Sequence, residues 1–129
     1  PTLTSFGAIA MQLRVAAHVL GLDVTTMSYS EQSKLGQCLE TDAFNIDVVA
    51  KYLHELILYD YPGADTANLT DEQFVIAGSR YNRGTQRPLA DMIASNNADE
   101  GSPLREYTSY GHAMLRHRDR VRNMLGSEP

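Results

Sequence analysis

With 129 residues, 43% hydrophobic and 21% charged, the chain is long enough for one domain with its own core and has the make-up of an ordinary globular protein. No apolar run reaches membrane-spanning length, so no membrane span is expected, and the single cysteine, Cys38, excludes an internal disulfide and is expected to fill space as a small buried hydrophobe. The net charge of −5 lies in residues 1–66, where three basic side chains face eight acids; residues 67–129 balance eight arginines against eight acids, so no nucleic-acid partner is expected.

No run alternates between apolar and polar residues as a half-buried strand does, whereas helical signals recur along the whole chain. The expected fold is therefore all-α, with about five to six helices. Ala8–Leu20 is apolar on nearly all sides and closed by Gly21, which predicts a central helix. Gln12 within it would be a buried polar group in need of a partner or a ligand. Ser28 and Glu31 have the spacing of a capping box and open a helix to about Leu39. Thr41 or Asp42 caps the next helix, with Phe44, Val48, Leu53, Leu56 and Ile57 inward, Lys51, His54 and Glu55 outward, and Pro62-Gly63 as its stop.

Thr70-Asp71-Glu72-Gln73 forms a second capping box. Its helix runs through Phe74-Val75-Ile76-Ala77 into Ser79-Arg80-Tyr81-Asn82-Arg83-Gly84, where the glycine suits a left-handed helix end. Tyr81 and Asn82 set an aromatic wall beside a short amide at a turn, an arrangement suited to sugars; the plainer reading is a helix end with a core tyrosine. Pro88 suits the first turn of a short helix ending near Ser95, followed by a polar loop over residues 96–103. The last helix is expected from about Leu104 or Tyr107 to Leu125, with Met114, Val121 and Leu125 facing the core. Arg116, Arg118, Arg120 and Arg122 are spread around it rather than along one stripe, as a step of about 100° per residue requires. His18, His54, His112 and His117 are scattered and no Cys/His spacing suits zinc, so no metal and no cofactor are expected. His112 follows Tyr110 by two positions and would point to another face of the helix.

The order of these segments resembles the lysozyme-like superfamily of soluble lytic transglycosylases and goose-type lysozymes. Ile9-Ala10-Met11-Gln12 is similar to the Gly-Leu-Met-Gln that opens the family's central helix. Leu39, Asp42, Asn45-Ile46 and Tyr52-Leu53 follow in the family's order. Arg80-Tyr81-Asn82-Arg83-Gly84 resembles Ala-Tyr-Asn-x-Gly, and Glu106-Tyr107-Thr108-Ser109-Tyr110 resembles the Glu-x-x-x-Tyr that leads the terminal helix. Together the motifs cover roughly residues 5 to 125.

The resemblance implies a lysozyme-like domain that cleaves the MurNAc–GlcNAc backbone of peptidoglycan outside the cytoplasm, in the periplasm or extracellular space. Met11, Gln12, Tyr81 and Asn82 would bind substrate, and Tyr110 would support the catalytic acid, with its hydroxyl near Gln12 or Asn82. The family's glutamate lies well upstream of the Met-Gln pair and would precede Pro1. The domain, spanning residues 1–129, is thus expected to be truncated on its N-terminal side and weak or inactive alone, completed by an upstream segment or a partner chain. Glu31, Glu40, Glu55, Glu72 and Glu106 remain as possible acids within the chain: the first three sit on solvent faces, Glu72 lies in a first turn, where a helix dipole lowers a carboxyl's pKa, and the family pattern gives Glu106 no proton-donor role. Arg80 and Arg83 depart from the small residues usual around Tyr-Asn, and are expected to narrow the groove or reach an acidic stem peptide. The alternative is a catalytically inactive module of the same fold that binds a glycan or a protein.

Overall fold

The computed structural model, which describes residues 5–6 and 11–126, is all-α. Its six α-helices are α1 (Leu13–Val19), α2 (Tyr29–Leu39), α3 (Asp42–Asp60), α4 (Asp71–Arg83), α5 (Leu89–Asn97) and α6 (Ser109–Gly126). Two 3₁₀ segments, Val24–Thr26 and Pro103–Thr108, precede α2 and α6. The chain folds as two units, Pro1–Tyr52 and Leu53–Pro129, and the boundary falls inside α3.

In the first unit the helix expected over Ala8–Leu20 begins only at Leu13; Ala8–Ala10 lie outside the described residues. Met11 and Gln12 form strand β2, paired antiparallel with β1 (Ser5–Phe6) in the register Ser5–Gln12 and Phe6–Met11. An apolar run does not by itself distinguish a buried strand from a helix, and a two-residue ladder is too short to show alternation. Leu13, Ala16 and Ala17 bury the inner side of α1. Gly21, at φ +74°, then closes it: its N–H donates to the His18 carbonyl and that of Leu22 to Ala17, the paired bonds of a Schellman end.

The capping boxes form as the sequence predicts. Ser28 Oγ accepts from the Glu31 N–H and the Glu31 carboxylate accepts from the Ser28 N–H, fixing the start of α2. Thr70 and Gln73 do the same for α4. Each box satisfies backbone donors that a helix start otherwise leaves open, a contribution of about 1 kcal/mol. Leu35 and Leu39 are buried on α2, while Cys38 between them is exposed, a correction to its expected burial. Val48 and Val49 are buried on α3 in this unit, as is Asn45.

The second unit is organised around the antiparallel pair α4 and α6. Gly111 makes the close approach possible. A Cβ on Gly111 would collide with the Val75 carbonyl oxygen and stand 2.5 Å from Ser79 Oγ. The Ser79 hydroxyl donates to the Val75 carbonyl (2.8 Å) and accepts from the Gly111 N–H (3.2 Å), which stitches the two backbones together. Further along, Arg118 pairs with Asp71 (2.8 Å) and stacks on Phe74. Val75, Ile76, Ala77 and Met92 fill the interior with Leu56 and Ile57. The C-terminal half of α6 departs from expectation: Val121 and Leu125 are 53% and 71% exposed and do not face the core. No helix among the described residues is long and apolar enough to cross a membrane.

Candidate functional site

The last turn of α4 carries Tyr81, half-buried, and Asn82, exposed. What holds this turn is Arg80. It is 1% exposed, with Nε and Nη2 on the two carboxylate oxygens of Asp60 at 2.5 and 2.9 Å. Its Nη1 donates to the carbonyls of Arg87 (2.9 Å) and Gly84 (3.5 Å), and its guanidinium lies over the Tyr59 ring. A planar guanidinium with a bidentate carboxylate, two carbonyls and a ring face is a rigid internal brace. Arg80 is therefore not available to line a groove or meet a stem peptide, as the sequence reading expects. An arginine is buried only when its charge is paired, and the pairing partner lies twenty positions upstream. Past this brace the chain turns at Gly84, with φ +87°.

The antiparallel α4–α6 crossing brings the first turn of α6 beside the last turn of α4. Tyr110, 41% exposed, thus lies at the same end of the pair as Tyr81 and Asn82. No hydrogen bond among the described residues joins Tyr110 to Asn82. Arg83 and Arg87 gather around Tyr107 at this end, with guanidinium carbons 5.4 and 3.5 Å from the ring centroid, and Arg83 also donates to the Glu106 carbonyl.

Met11 and Gln12 belong to the other unit. Met11 is 2% exposed, so a substrate cannot touch it without rearrangement. Gln12 is half-buried, and its carbonyl oxygen accepts from Arg14 Nε at 3.0 Å. The partner that the sequence reading sought for Gln12 is a neighbouring side chain two positions along. Asn45, from the Asn-Ile pair, is fully buried and partnered, and Ile46 is 54% exposed. Among the carboxylates, Glu31 serves its capping box and Glu72 accepts from the Tyr61 hydroxyl at 3.1 Å.

A second feature has no counterpart in the sequence reading. The loop after α5, the 3₁₀ segment Pro103–Thr108 and the start of α6 enclose a cleft of about 470 Å³. Its frame is pinned from below: Ser95 Oγ donates to the Leu104 carbonyl (2.6 Å) and shares a hydrogen bond with Thr108 Oγ1 (2.9 Å). Arg105 Nη1 holds the Asn96 and Ala98 carbonyls at 3.0 and 2.8 Å. Two of the residues that line it each hold a buried polar atom without a protein partner, Ser102 Oγ and His112 Nε2. Burial pushes the imidazole below its ordinary range, and the neighbouring charges of Arg105 and Arg116 push the same way. The loop serine and the helix histidine share no local motif, so only the folded backbone brings them to one cleft. No group of three or more metal-ligating side chains occurs among the described residues.

No family model, curated protein or solved structure matches this chain.

Proposed function

We propose that this chain is the larger part of a lysozyme-like, peptidoglycan-cleaving domain, able to hold the glycan strand and dependent on a glutamate outside this sequence for cleavage. The observation that carries the reading is the meeting of the α4 end, with Tyr81 and Asn82, and the α6 start, with Tyr110, at one end of a tightly packed helix pair. An exposed amide, an aromatic face and a phenol held on rigid helix ends suit a sugar's hydroxyls and ring. Glycosidic cleavage also needs a carboxylic acid of raised pKa at the bridging oxygen. On this reading that group would come from outside the given residues, and the completed domain would work on the MurNAc–GlcNAc backbone in the periplasm or extracellular space.

The alternative, a catalytically inactive module, is favoured by the Arg14–Gln12 hydrogen bond and the burial of Met11, which withdraw two expected ligand residues. Pull-down on insoluble peptidoglycan tests both readings: the chain is expected in the pellet, and a chain left wholly in the supernatant overturns glycan binding. Turbidity clearing separates them. The chain alone is expected to clear nothing. A chain extended by its native upstream residues clears if the enzyme reading holds, and fails to clear if the module reading does.

A further inference from the structure

We propose that the last two turns of α6 form a docking arm for an acidic amphipathic helix of a partner protein. Along α6, Gly111, Met114, Arg118, Val121 and Leu125 fall at alternating intervals of three and four, the spacing of a seam that meets another helix. The first part of that seam is covered by α4: Gly111 lies against Val75 and Ser79, Met114 beside Gly78, and Arg118 against Asp71 and Phe74. Asp71 is the first residue of α4, so the seam outruns its partner there. Beyond it every residue from Asp119 to Gly126 is exposed, with Val121, Met124 and Leu125 at 53%, 64% and 71%. An arm of about two turns has little helical stability of its own in water. Apolar side chains that continue the register of an existing seam gain by burial against a second helix.

Charge decides what that second helix carries. Arg118 pairs with Asp71 and with Asp119, the acid of the arm. Arg120 and Arg122 are left without a carboxylate partner among the described residues. At about 100° per residue, Arg122 stands on one flank of the Val121–Leu125 stripe, and Met124 with Arg120 behind it stands on the other. A helix with carboxylates beside its own apolar stripe pairs both arginines, whereas a second copy of α6 sets arginine against arginine. An anionic membrane is disfavoured by the chain's net charge of −5 and by the shortness of the stripe, and a nucleic acid leaves the stripe unused. The assignment is independent of the peptidoglycan reading.

The test is fluorescence anisotropy of two labelled synthetic peptides of about three heptads titrated with the chain, both with leucine at the a and d positions, one with glutamate and the other with lysine at e and g. The glutamate peptide is expected to bind saturably and at least about tenfold more tightly than the lysine peptide, with NMR shifts in the chain centred on residues 119–126. Val121→Asp and Leu125→Asp, changes at exposed positions that the fold tolerates, should each weaken the glutamate peptide by about tenfold or more. The double change Arg120→Glu with Arg122→Glu should reverse the preference towards the lysine peptide. The assignment is overturned if neither peptide binds saturably, if both bind equally, or if the variants bind like the parent. Sedimentation as a dimer that Leu125→Asp converts to a monomer gives the arm to a second copy and overturns it too. So does pelleting with phosphatidylglycerol vesicles without binding of the glutamate peptide, which gives the arm to a membrane.

Discussion

Arg80 decides more about the second unit than any other single side chain. Its bidentate bond to Asp60 ties the end of α3 to the end of α4, and its third nitrogen ties both to the loop that follows. Both side chains are nearly inaccessible, at 1% and 3% exposure. Such a pair gives little net stability over an apolar replacement, yet breaking one side strands a buried charge. Asp60→Asn is expected to lower unfolding stability by about 3–5 kcal/mol, and Arg80→Met with Asp60→Leu together by much less. Urea denaturation of the single and double variants checks this; equal losses in both would mean that the brace acts through shape rather than charge. Tyr61 supplies a pH signature nearby. Burial and its bond to Glu72 raise the phenol from 10.0 to about 12. Its contribution is thus whole below pH 10 and disappears as pH rises through about 12, because the unfolded chain ionises first. Thermal melts of the parent should fall over that window, and those of Tyr61→Phe should fall less.

At the scale of elements, the α4–α6 crossing separates two glycines that look alike in sequence. An added methyl at Gly111 meets backbone, which cannot move aside without parting the helices. At Gly78 the nearest atom is the flexible Met114 sulfur at 2.7 Å, and the first backbone atom, Gly111 Cα, stands farther off at 3.3 Å. Gly111→Ala should therefore cost about 2 kcal/mol or more, whereas Gly78→Ala should lie near zero, since the gain of about 1 kcal/mol in helix propensity offsets a shifted methionine. A pair of chemical denaturation curves decides it, and equal losses would contradict the crossing geometry. The same elements explain what was legible beforehand. Helix starts at Tyr29 and Asp71 were readable because a capping box is complete within four residues. The stop at Gly21 is equally local. Strand β2 was not readable, because its hydrogen bonds belong to residues on another segment. Nor was the burial of Arg80, whose partner is on a different helix, or the exposure of Val121 and Leu125, where an apolar spacing continues past the end of the packing surface.

For the molecule as a whole, the resemblance to lysozyme-like enzymes divides along the two units. Met11 and Gln12 lie in one, Tyr81, Asn82 and Tyr110 in the other. The sequence order suggested a single site of five residues. Side-chain surroundings give the five unequal standing: Met11 fills space and Gln12 is engaged by Arg14, while Asn82 and Tyr110 stay open to solvent. The weight of the glycan reading therefore falls on the second unit, and Tyr110 is the residue to test. Its hydroxyl makes no hydrogen bond among the described residues and its side chain is 41% exposed, so Tyr110→Phe should change stability by no more than about 1 kcal/mol. Retention on peptidoglycan should nonetheless fall several-fold in Tyr110→Phe and in Asn82→Ala, because each removes a polar group that a sugar would use. Under the enzyme reading, Tyr110→Phe in a chain extended by its native upstream residues should also lower clearing by about tenfold or more, because the phenol would then orient the proton donor. Retention unchanged in both variants, with folding intact by circular dichroism, would move glycan binding away from the α4–α6 end.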